Sequence, residues 1–107
     1  MTHLDSFLRF HKANPEVYRL FCAFTKQLIG AGRRSYSADA VLHRIRWHTA
    51  VETKGEPLKI NDHYSSLYAR LFMMHHGEYS GFFELRRLHV DEMTVQVALE
   101  GLQTVAA

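Results

Sequence analysis

Residues 59–88 read KINDHYSSLYARLFMMHHGEYSGFFELRRL, and the middle of that stretch decides the fold. Tyr64, Leu67, Tyr68, Leu71 and Phe72 recur at three- and four-residue spacing, which predicts a helix over about 62–76 with one buried side. Asn61 or Asp62 can cap it by accepting a hydrogen bond from the first free amides. Gly77 and Gly81 then interrupt the pattern, so GEYSGFF reads as a turn or a single helical turn and FELRRLHV as extended. Arg70 shares the helix, while Arg86 and Arg87 follow the glycines, which sets cations beside a packed scaffold. This pattern speaks of architecture and names no reaction.

Working outward, Leu4, Phe7 and Leu8 predict a short helix near the start of the chain. Asn14 followed by Pro15 supplies an N-cap and a favoured first residue for a second helix. Its stripe of Val17, Leu20, Phe21, Phe24 and Leu28 marks it as the expected central core helix, and Gly30 and Gly32 offer stop positions. Ser37 can cap a third helix that buries Val41, Leu42 and Ile45, leaving Arg44 and Arg46 to point elsewhere. TAVETKGEPLKIN loses helical spacing, and Lys54, Gly55 and Pro57 predict a turn between two short extended pieces, a small hairpin. Met93, Val95, Val97 and Leu99 alternate as in a strand, whereas Val95, Leu99 and Leu102 suit a helix; a helix capped by Asp91 is the favoured reading.

The expected fold is therefore mainly α with a minor β-hairpin: a compact helical bundle, with a winged-helix variant as the alternative. One domain spans 1–107, with 91–107 as a candidate C-terminal extension. A chain of 107 residues is long enough to bury roughly two-thirds of its unfolded surface without metal or disulfide support. Hydrophobic residues at 47% and charged residues at 22% are those of a globular protein and exclude wholesale disorder. Cys22 is the only cysteine, so no internal disulfide framework exists, and its place in PEVYRLFCAFTKQL makes it a small buried hydrophobe in a reducing compartment. With no leader pattern and no apolar run of about 20 residues, the expectation is a cytoplasmic protein of a bacterial host cell that does not enter membranes.

The series RIRW at 44–47, LKIN at 58–61, YARLFM at 68–73 and GFFELRRL at 81–88 resembles a family of small proteins encoded by bacteriophages and prophages. Arg-Trp, Lys-Ile-Asn, Tyr-x-Arg and Gly-Phe-Phe-x-x-Arg follow in the same order there. The resemblance covers about residues 8–88 and leaves the tail from Asp91 outside. It implies a phage or prophage setting and carries over no catalytic residue.

Chemical motifs are sparse. No phosphate loop, GxSxG elbow, HExxH or Cys/His arrangement occurs, and Glu78 and Glu84 read as surface carboxylates, so the expectation is a protein without catalytic residues or cofactor. Eight histidines invite a metal site, for instance His43, His75 and His89 brought together by the fold. His43 and His48 are five apart and do not share a helix face, and His75 and His76 diverge by about 100°, so no metal ligands are assigned. Histidines do titrate near neutrality, which opens pH-sensitive association.

Binding remains. The net charge is only +2, but four Lys/Arg stand against two Asp/Glu in residues 1–30, nine against six in 31–90, and none against three in 91–107. Arg33, Arg34 and Lys54 accompany the six residues assigned to phosphate contact: Arg44, Arg46, Lys59, Arg70, Arg86 and Arg87. Duplex DNA is the first expected partner, with the helix over 62–76 as reader; the long link before it departs from a standard helix-turn-helix. The alternative is a module that inhibits or redirects a bacterial host protein, alone or as a homodimer. Its candidate anchors are Trp47, Tyr79 and Phe82, from an aromatic set that also holds Tyr36, Tyr64 and Phe83. For Trp47, Phe82 and Phe83, core packing is the stronger expectation.

Overall fold

The computed structural model describes residues 3–85, 88 and 91–103. Five helices follow in order: α1 (His3–Ala13), α2 (Pro15–Gly30), α3 (Ala38–Trp47), α4 (Tyr64–His75) and α5 (Glu92–Glu100). Together they make a compact helical bundle without a sheet among the described residues. Two of the expected caps form: the Ser37 side chain accepts from Ala40 N at 3.2 Å and Asp91 from Thr94 N at 3.1 Å. Asn14 instead turns back, its Nδ2 donating to Phe10 O at 3.2 Å and tying α2 to the end of α1.

The central helix is α4 and not α2. All ten residues from Tyr64 to Met73 are buried, so the stripe that predicted one buried side understates the burial. α1, α2 and α3 all pack against it. Phe7 meets Tyr64 and Tyr68 edge-on at 5.5 and 4.8 Å, and Phe21 stacks on Tyr68 at 5.5 Å. Phe83 closes the far end, edge-on to Phe72 at 5.9 Å. Such ring pairs add about 0.5–1.5 kcal/mol each beyond the area they bury. α2 keeps an open face, with Glu16, Arg19, Ala23, Lys26 and Gln27 exposed, while Val17, Tyr18, Phe21, Cys22 and Thr25 face inward. Cys22 is a core residue, as expected.

The expected hairpin does not form. α3 runs on through a π-helical turn, His48–Glu52, the chain bends at 53–55, and 56–61 return without a strand partner. Side chains at the end of α3 supply the bonds a partner strand would give. Thr49 Oγ1 accepts from Leu58 N at 3.3 Å, Arg46 Nη2 donates to Ile60 O at 2.6 Å, and the Ile60 side chain enters the core. Among the described residues the β-pairing is a lone parallel bridge, Tyr36 to Phe83, so the wing of a winged helix is missing.

α5 is part of the core: Val95 and Leu99 are buried in the same cluster as α1–α4. Its C-terminal end is held by His75, whose Nε2 lies 3.2 Å from Leu102 O and whose Nδ1 lies 2.7 Å from the Tyr18 hydroxyl. A carbonyl can only accept, so Nε2 carries the proton and Nδ1 accepts from Tyr18. Burial pushes the His75 pKa below its ordinary value, and burial followed by the nearness of His75 does the same to His11.

Candidate nucleic-acid interface

Three of the four described cations assigned to phosphate are paired with carboxylates. Arg44 lies over the Phe24 ring at 4.5 Å and pairs with Glu52, Nη1 to Oε1 and Nη2 to Oε2, the latter at 3.4 Å. That guanidinium holds the Glu52 carboxyl below the usual carboxylate range. Arg46 Nη2 bonds Asp62 Oδ1 at 2.6 Å as well as Ile60 O, and Nη1 lies 3.2 Å from His43 Nδ1. Asp62 therefore serves the Arg46 pair, and Asn61 Oδ1 accepts from His63 N at 2.9 Å in the turn before α4, so neither side chain caps the helix.

Arg70 is buried. Its Nε and Nη2 grip the Glu92 carboxylate at 3.0 and 2.6 Å, while Nη1 donates to the Ser66 carbonyl at 3.2 Å and to the Ser66 hydroxyl. Committed in this fork, the buried guanidinium fastens α4 to α5 in place of the phosphate contact expected from sequence. Lys59 is exposed, without a carboxylate partner among the described residues. Arg86, Arg87 and His89 lie outside the described residues.

The aromatic candidates divide as well. Phe82 is buried, edge-on to Phe83 at 5.0 Å, and is a core residue with no surface to offer a partner. Tyr79 is half-buried against the core. Trp47, expected in the core, is 60% exposed, with Val51 at 59% one turn on. Among the described residues no group of three His, Cys, Asp or Glu side chains is placed to hold a metal.

A different set of basic residues stands out. Residues 6–38 contain Arg9, Lys12, Arg19, Lys26, Arg33 and Arg34 against Glu16 alone, while the rest of the chain holds seven cations and ten carboxylates. All six are exposed, and none forms an ion pair with a described residue. Arg19 and Lys26, seven residues apart on α2, share a face about 10 Å apart along the axis. The chain then turns sharply. Gly32 takes φ +89°, Gly32 N donates to Ile29 O at 3.0 Å and Arg33 N to Leu28 O at 3.0 Å, the paired bonds of a Schellman stop. That turn sets Arg33 and Arg34 beyond the helix end and delivers Tyr36 to its bridge with Phe83.

The sequence reading weighed Arg33 and Arg34 but passed over Arg9, Lys12, Arg19 and Lys26. The signal was the near absence of carboxylates over 33 consecutive positions, which segment boundaries at residues 30 and 31 had split. No described helix is long and apolar enough to cross a membrane. Compared with protein-family models, curated proteins and solved structures, the chain matches none.

Proposed function

We propose that this chain is a non-catalytic nucleic-acid-binding protein, a regulatory accessory of phage or prophage type, whose phosphate contacts come from the α1–α2 half. The observation that carries the reading is the division of charge: six exposed cations without ion pairs to described residues, against one carboxylate in residues 6–38. Unpaired cations release counterions from a phosphate backbone at no cost in internal salt bridges. Arg44 and Arg46, by contrast, would first have to leave Glu52 and Asp62.

Binding of labelled single-stranded and duplex DNA across a salt series tests the reading. Affinity should fall linearly on a log–log plot, and Arg19→Gln with Lys26→Gln should flatten the slope by about 1.4 on single strands or 1.8 on duplex. Arg44→Gln with Arg46→Gln should leave the slope unchanged. No binding at low salt by the folded protein removes the proposal.

One observation favours a second reading, capture of a bacterial host protein: Trp47 is exposed beside Val51 at the end of α3. Tryptophan is the residue most enriched among interface hot spots. This reading expects salt-tolerant binding that Trp47→Ala abolishes and Lys26→Gln does not alter.

A further inference from the structure

We propose that the pocket between α2 and α3, beside Tyr36, takes one unpaired base of a single-stranded nucleic acid while Arg33 and Arg34 hold the flanking phosphates. The inference rests on the nucleic-acid reading above and narrows it to strand type and subsite. Tyr36 is 42% exposed and lines two concavities at once. One is an open cleft of about 1000 Å³ with mixed polar and apolar walls; the other is a pocket of about 260 Å³ walled by Phe24, Leu28 and Val41, with Arg44 over the Phe24 ring. Cavities that enclose a drug-sized ligand begin near 300 Å³, so the smaller one suits a single planar ring system.

The backbone that carries the ring is fixed. Tyr36 N donates to Phe82 O at 3.2 Å, the backbone bridges to Phe83, and the next residue, Ser37, caps α3. Two polar handles are open at the pocket. The Gln27 amide and the Tyr36 hydroxyl have no hydrogen-bond partner among the described residues, and an amide offers a donor and an acceptor to a base edge. Stacking on an aromatic ring needs the face of a base, which an intact duplex conceals and a single strand presents.

Charge sets the direction of the strand. The larger cleft carries the exposed carboxylate Glu84, which repels phosphates, while Arg33 and Arg34 stand three and two residues before Tyr36. The backbone is therefore drawn to the arginine side, with a base turned inward between α2 and α3.

The test compares three labelled probes on the whole chain: an oligothymidine single strand, a hairpin duplex of equal phosphate count, and an abasic sugar–phosphate strand of the same length. The single strand should bind more tightly than either of the others. Tyr36→Ala should weaken it by about 5- to 150-fold and leave duplex binding unchanged, whereas Tyr36→Phe, which keeps the ring and loses only the hydroxyl handle, should weaken it far less. If wild-type protein binds the abasic and base-bearing strands equally, the base subsite is overturned and the phosphate surface stands. If no probe binds, both proposals fall together. Because the abasic comparison uses the unaltered chain, it decides the matter even where Tyr36→Ala disturbs the fold.

Discussion

Replacing Arg70 with Met separates the two roles open to that residue, structural fastener and phosphate contact. The side chain is 9% exposed and gives Glu92 two bonds and Ser66 two more. Hydrogen bonds to a charged group contribute about 1.5–3 kcal/mol each, but the guanidinium also loses several kcal/mol of hydration on burial. Met retains the aliphatic packing, and the Glu92 side chain, 60% exposed, returns to water at little cost. What remains is a net loss of about 2 kcal/mol, including the stranded Ser66 hydroxyl. For a domain of this size that lowers Tm by about 10 °C. Thermal unfolding followed by circular dichroism reads the loss. Anisotropy with labelled DNA, taken well below both transitions, should show unchanged affinity. An Arg70→Met protein that melts with the wild type but has lost its DNA would refute the reasoning, since the guanidinium would then act outward.

Leu99→Ala should cost about 3–5 kcal/mol, because Leu99 is fully buried and one of two core residues on α5; urea unfolding measures it, and a loss under 1 kcal/mol would show that α5 is not seated as described. Lowering pH should destabilise the fold through His75 and His11. Their folded pKa values lie below the ordinary histidine value of about 6.5, so the unfolded chain binds protons first, and stability present above that value is lost as pH falls toward the folded ones. Urea midpoints at stepped pH check this, and a midpoint that does not move through that window contradicts it. Trp47→Ser should change stability by no more than about 0.5 kcal/mol, the usual range for an exposed position; a larger loss in thermal melts would place the ring in a packed environment.

The helices were legible because their signals are local. Ser37 and Asp91 cap amides three residues away, and Gly32 stops α2 through bonds reaching no further than five residues. The failures share the opposite property. Arg46 meets Asp62 across 16 residues and Arg70 meets Glu92 across 22, distances at which sequence shows that cations and carboxylates exist but not which ones face each other. The hairpin failed for a related reason: Thr49 and Arg46 satisfy the returning backbone with side chains, a substitution that propensity for strands cannot register. Charge neutralisation inside the fold then determines where an anion can bind. Where carboxylates are plentiful, as after residue 38, Arg44, Arg46 and Arg70 find them and become structural. Where Glu16 stands alone among six cations, local pairing can satisfy few of them, and in this fold all six stay exposed, so a paucity of acids over a long stretch is the sequence feature that accompanies unneutralised positive charge. Density of basic residues near a packed helix, which favoured Arg44, Arg46 and Arg70, measures instead how much charge the fold has to tie down.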